Sequence, residues 1–140
     1  MTLPGSSMPT SRWIVLVDSH VLLWIVSGDD RLGPDARRRL RSSQGVHVSA
    51  ITVLELTIKK MLGRLDLPDD LTALLEQQGL RHAAFEAQDA ALLERYPALV
   101  RHDPFDRALL AQATRHDWAF MTADERLLGL GLDRVIDARV

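Results

Sequence analysis

The sequence predicts an α/β domain built on a mostly parallel sheet of four to five strands, and three features carry that expectation. Short β-branched runs alternate with longer stretches of helical periodicity. Glycine and proline punctuate the chain evenly, with no internal repeat, low-complexity tract or linker after the first residues. At 140 residues, 46% apolar and 26% charged, the chain suits one hydrophobic core and not two full domains. Parallel strands cannot be joined by a tight hairpin, so the helical segments between them are expected to be the crossovers.

Residues 1–11 lack both the basic start and the apolar centre of a signal peptide, and they read as a flexible tail ahead of a domain over 12–140, with Met8 an alternative start. Trp13 to Val17 is the first strand, and a helix over about 20–27 follows. The apolar run Val21–Val26 in that helix is far shorter than the roughly 20 residues of a membrane span. Gly33-Pro34 opens a helix over 34–43, and Leu32, Ala36 and Leu40, four residues apart, supply its buried stripe. Val46 to Ser49 is the second strand, with helices over 51–62 and 69–78 behind it. Arg81 to Phe85 is the third strand, followed by a helix over 87–95. Asp103-Pro104 starts a helix over 104–116, since Asp caps well and Pro suits the first helical position. Trp118 to Met121, a helix over 123–129 and a strand at Arg134 to Ile136 complete the series.

The absence of cysteine excludes disulfide scaffolds, thiolate zinc sites, iron–sulfur clusters and cysteine nucleophiles, and a cytoplasmic location fits. The formal net charge of −2 argues against coating nucleic acid by bulk electrostatics. That near-balance hides a cluster of Arg31, Arg37, Arg38, Arg39 and Arg41 against Asp35 alone. A solvated helix face is the simpler account of it, and a phosphate-facing surface the sharper one.

Open parallel sheets bind ligands at the carboxyl ends of their strands, so the residues there matter most. The first strand runs directly into Asp18, and the fourth runs into Thr122-Ala123-Asp124. Glu55 lies about one turn into the helix after the second strand, and Asp106 falls in the first turn of the helix opened by Asp103-Pro104. Converging carboxylates repel unless protons or cations neutralise them. An oxygen-only donor set selects a hard ion, Mg2+ or Mn2+, and such an ion suits phosphodiester hydrolysis by an activated water. Each acid also has a structural account. Asp18 and Asp103 are candidate N-caps, Thr52 to Glu55 reads as a capping box, Asp106 complements a helix dipole, and Asp124 is a first-turn acid.

Taken together, the segments Leu16–Trp24, Ser49–Leu56, His102–Ala113 and Thr122–Asp124 resemble the signature segments of PIN-domain ribonucleases, nearest the VapC-type toxins of type II toxin–antitoxin systems. The resemblance runs from about Trp13 to the C-terminus and implies a PIN-like three-layer fold. It places the family's metal-binding, catalytic acids on Asp18, Glu55, Asp106 and Asp124, holding Mg2+ with Mn2+ as a substitute. Ser19, where many relatives have threonine, keeps a hydroxyl able to orient a carboxylate, and Thr122 and Asp103 are further supports of the acids. Leu54 stands where relatives often have tryptophan.

The resemblance further implies an RNA substrate, a cognate VapB-type antitoxin and a homodimer. Arg37, Arg38, Arg41, Lys59 and Arg107 are candidate phosphate contacts, with Lys60 and Arg64 beyond them. Trp24, Ile58, Met61 and Leu62 are candidates for a groove that receives an antitoxin helix, although such a stripe also serves as ordinary core. His20, two residues past Asp18, reads as a hydrogen-bond partner and not as a general base. Aspartyl phosphatases usually carry a second acid where this chain has His20, and receiver domains a strand-end lysine that is missing here. The remaining alternative is a catalytically inactive PIN-like α/β adaptor, which would gain no stability from divalent metal.

Overall fold

The computed structural model describes residues 13–140, so the tail expected over 1–11 lies outside the described residues. Its strands are β1 (Ile14–Val17), β2 (Gly45–Ser49), β3 (Arg81–Ala83), β4 (Ala119–Thr122) and β5 (Val135–Asp137). They form one sheet in the order β3-β2-β1-β4-β5, with every neighbouring pair parallel. The helices are α1 (Ser19–Ser27), α2 (Pro34–Ser42), α3 (Ala50–Met61), α4 (Leu71–Gln77), α5 (Ala87–Ala91), α6 (Pro104–His116) and α7 (Glu125–Leu128).

Side-chain alternation on the central strands divides the interior into two cores, which makes the fold a three-layer sandwich. Val15, Val17, Val48, Ala119 and Met121 face one side, against Val21, Leu22 and Trp24 of α1, Ala36 of α2, Leu56 of α3 and Leu75 of α4. Leu16 and Phe120 face the other, against Leu109, Leu110 and Ala113 of α6 and Leu127 of α7. Gly33 is required where the chain passes its own end. A Cβ there would come within 2.3 Å of the Val140 carbonyl oxygen.

The chain builds β1, β2 and β3 outward on one side, then returns to place β4 on the other side of β1. The sheet therefore has its switch point between the carboxyl ends of β1 and β4, and a crevice opens there in this class of fold. The Asp18 amide hydrogen-bonds the Met121 carbonyl at 3.2 Å, which joins the two strand ends.

Several sequence expectations shift in detail. The helix expected over 87–95 is α-helical only to Ala91 and tightens into a 3-10 turn over Leu92–Arg95, because Pro97 disfavours helical backbone at Tyr96. A further 3-10 turn, Pro97–Leu99, was not anticipated. The expected Thr52 capping box does not form. Ser49 caps α3 instead, accepting from the Ile51 amide at 3.0 Å, and Thr52 lies fully buried inside the helix. Trp24 is 8% exposed and packs in the core, so it lines no open groove. Asp124 sits one position before α7 as its N-cap, since that helix starts at Glu125.

Candidate metal centre

Asp18, Asp106 and Asp124 reach the crevice from the starts of helices that leave the sheet edge, and Glu55 from one turn further along α3. Asp18 is the N-cap of α1, and its Oδ1 accepts from the Val21 amide at 2.9 Å. Its Oδ2 accepts from the Thr122 hydroxyl at 2.5 Å. Thr122 Oγ1 in turn accepts from the Asp124 amide at 3.0 Å, so one hydroxyl locks the strand-end loops of β1 and β4 together. Asp124 also caps α7, accepting from the Leu127 amide at 3.0 Å. Asp103 caps α6 by accepting from Phe105 and Asp106 amides, as its sequence context predicts. Capping and ligand roles are compatible here: Asp124 caps through Oδ1 and turns Oδ2 to His102, and each Asp18 oxygen, though it accepts one hydrogen bond, keeps a second lone pair.

Glu55 is buried in the second turn of α3. Its Oε2 accepts from Lys59 Nζ at 3.0 Å, and its Oε1 is buried without a hydrogen-bond partner. Ser19 is buried at the first position of α1, beside Asp18. Burial pushes the Asp18 carboxyl up from its ordinary value, against the opposing pull of its Thr122 and Val21 hydrogen bonds. Burial, reinforced by the negative charges of Asp18, Asp103, Asp124 and Glu55, pushes Asp106 up to about 7. The acids picked out in the sequence, 18, 55, 106 and 124, are thus one electrostatic unit. A buried carboxylate oxygen without a donor and an acid raised by its neighbours are what a cation site shows when no cation neutralises it. The residues fit a hard divalent ion.

Sequence reasoning missed His102. Its side chain is 8% exposed, and its Nε2 stands 3.4 Å from Asp106 Oδ2 and 3.4 Å from Asp124 Oδ2. The available signal was a histidine four residues ahead of Asp106, on the far side of the Asp103-Pro104 helix start.

Among the candidate phosphate contacts, Lys59 stands at the crevice, tied to Glu55. Arg107 Nη1 donates to the Val100 carbonyl at 2.9 Å and so braces the loop that carries His102. Arg37 is a local brace, donating to the carbonyls of Asp29 and Leu32. Arg38 pairs with Asp35, while Arg41 is exposed. Ile58, Met61 and Leu62 lie exposed on and just past α3, at 40%, 81% and 60%.

Comparison with known proteins agrees with this geometry. The family model described as PIN domain matches residues 15–131, which spans every acid of the crevice. The chain belongs to the PIN-domain family. This PIN domain is 30% identical to Ribonuclease VapC22 of Mycobacterium tuberculosis over 115 residues, 81% of this chain and 88% of that protein. Among solved structures, it superposes on VapBC2 from Rickettsia felis bound to a promoter DNA fragment with a TM-score of 0.63. The identity there is 11%, covering 89% of this chain and 96% of the other. It superposes on DNA-bound VapBC from Salmonella typhimurium with a TM-score of 0.62 at 19% identity, covering 88% and 96%. At those identities the likeness concerns the PIN fold alone, and the three-layer architecture expected from the sequence is the one found.

Proposed function

We propose that this PIN domain is a VapC-type endoribonuclease toxin that hydrolyses RNA phosphodiester bonds with a divalent ion held by Asp18, Glu55, Asp106 and Asp124. The observation that carries the reading is the meeting of these acids at the switch point, with Asp106 raised to about 7 by burial and its neighbours' charges. The ribonuclease relative, 30% identical over most of its length, supports the activity class.

Mg2+, with Mn2+ as a substitute, would lower the pKa of a bound water and offset charge on the leaving oxygen. The chain's own residues prepare the site. Thr122 holds the Asp18 and Asp124 loops in register, so both acids face the crevice without reorganising. Lys59 holds Glu55 in its rotamer and offers a partly exposed ammonium where an RNA phosphate would approach. Asp103 caps the start of α6, and Ser19, buried next to Asp18, offers that acid a neighbouring hydroxyl. Arg41, and Arg38 on swinging from Asp35, are candidate backbone contacts further out, while Arg37 and Arg107 serve first as braces.

A VapB-type antitoxin is the expected partner, supported by structural neighbours that are themselves toxin–antitoxin complexes. The exposed apolar residues Ile58, Met61 and Leu62 are its proposed seat, without Trp24, which is core. A homodimer and a cytoplasmic location complete the proposal. Among the described residues, no helix is long and apolar enough to cross a membrane.

The test is cleavage of total RNA by wild type, Asp18→Asn and Asp106→Asn, with Mg2+, Mn2+ or EDTA. Metal-dependent cleavage lost in both variants is expected. Absence of cleavage and of metal-induced stabilisation in the wild type would overturn the proposal in favour of an inactive adaptor.

A further inference from the structure

Resting on the metal-centre reading, we infer that His102 is a nitrogen ligand of the ion, completing a donor face with Asp106 and Asp124 that favours Mn2+ over Mg2+. The ring is more than nine-tenths buried, and neither Nδ1 nor Nε2 has a hydrogen-bond partner. A buried imidazole with both nitrogens unpaired is costly, and native proteins rarely leave one so. Nε2 is aimed into the acidic crevice, with one oxygen of Asp106 and one of Asp124 equally distant at 3.4 Å.

That spacing separates a ligand from a hydrogen bond. A charge-assisted N–H to carboxylate bond would draw in to about 2.7–2.9 Å, and the ring closes on neither acid. Donors about 2.1 Å from a shared ion stand roughly 3.0–3.4 Å apart at angles from octahedral to tetrahedral. The two separations from Nε2 match such an edge, and the three donor atoms lie within 4.8 Å of one another.

The loop is built to deliver the ring. The Pro97–Leu99 turn ends with the His102 amide donating to the Leu99 carbonyl at 2.9 Å, and Arg107 donates to the Val100 carbonyl at 2.9 Å. Asp103 then starts α6 and brings Asp106 round to the same side as His102. The other carboxylate and histidine cluster, Glu86, Asp89 and His116, shares no such vacancy, because Arg115 already neutralises Asp89 and Glu86 at 3.1 Å.

Imidazole is a poor partner for Mg2+ and a good one for Mn2+ and later transition ions, so the nitrogen amends the oxygen-only donor set read from the sequence. The test is pulsed electron paramagnetic resonance of the full chain loaded with Mn2+, alongside binding of Mn2+ and Mg2+ alone by titration calorimetry. A directly coordinated nitrogen signal in the wild type, kept in His20→Gln and lost in His102→Gln, is expected. The affinity of His102→Gln for Mn2+ should fall about 10–100-fold, with a smaller loss for Mg2+. Bound Mn2+ with no directly coordinated nitrogen, or a signal that persists in His102→Gln, overturns the ligand role and leaves the four-acid site standing. No Mn2+ binding that depends on Asp18 and Asp106 overturns both. The wild-type spectrum decides the matter even if a variant fails to fold.

Discussion

Replacing Asp106 by asparagine tests the electrostatics of the crevice directly, because the substitution keeps the shape of the side chain and removes its charge. In the metal-free protein the Asp106 carboxyl is pushed from 3.8 up to about 7, first by burial and then by Asp18, Asp103, Asp124 and Glu55. At about 1.4 kcal/mol per pKa unit, holding that group ionised costs the folded state up to about 4 kcal/mol. Its side chain is 22% exposed, and relaxation of water and neighbours brings the expected figure to about 2–4 kcal/mol. The sign follows from proton counts. Between about pH 4 and 7 the folded state binds a proton that the unfolded state has released, so wild-type stability falls as pH rises through that window and levels above it. Asparagine cannot titrate and escapes this loss. Urea unfolding in EDTA at pH 4, 6 and 8 should therefore show little difference at pH 4 and a more stable variant at pH 8. Saturating divalent metal should reverse the order, since about 1,000 Kd of ligand stabilises a binding-competent wild type by about 4.1 kcal/mol. A gap that does not change with pH, or a variant less stable than wild type at pH 8 in EDTA, would refute the argument that these acids strain one another.

Three further outcomes are expected. Thr122→Val removes the hydroxyl that bridges Asp18 and the Asp124 amide, so it should cost about 1–3 kcal/mol and weaken metal binding about 10–100-fold; calorimetry showing an unchanged Kd would remove Thr122 from the site. Arg115→Met leaves the fully buried Asp89 carboxylate with only the Glu86 amide and His116 beside it and should destabilise by about 1–3 kcal/mol at neutral pH, equally with or without metal, as read by urea unfolding. Ile58→Glu with Met61→Glu alters exposed positions, so stability should change by less than about 1 kcal/mol while affinity for the cognate antitoxin, measured by calorimetry, falls at least tenfold; undiminished affinity would place the antitoxin elsewhere.

Much of the fold is legible in the chain because the relevant signals are local. Ile14–Val17 and Ala119–Thr122 are short runs buried almost throughout, and the helices between carry the roughly 3.6-residue period, so each segment declares its element without reference to the others. Asp103-Pro104 and Gly33-Pro34 mark helix starts by the conformations those residues permit. The same locality explains the errors. Thr52 and Glu55 have the spacing of a capping box, but Ser49 at the end of β2 starts the helix earlier, and the strand position that decides between them is set by pairing with β1. Trp24 fits either groove or core in the sequence, because its apolar stripe does not say which side a sheet will cover, and the fold makes it core.

The sequence by itself determined the alternation of strands and helices, the placing of Asp18, Glu55, Asp106 and Asp124 near strand ends and helix starts, and the resemblance those segments carry. Only the tertiary structure decided what these groups do to one another. Thr122 reaches Asp18 across 104 residues of chain, His102 turns inward because the 97–100 segment and Arg107 hold its loop, and Arg107 and Arg37 are spent on carbonyls near at hand. The physical reason is the range of the interactions. Backbone preference and periodicity act over a few residues along the chain, whereas burial and charge act through space, and the strand order that brings distant segments within that range is a property of the folded sheet alone.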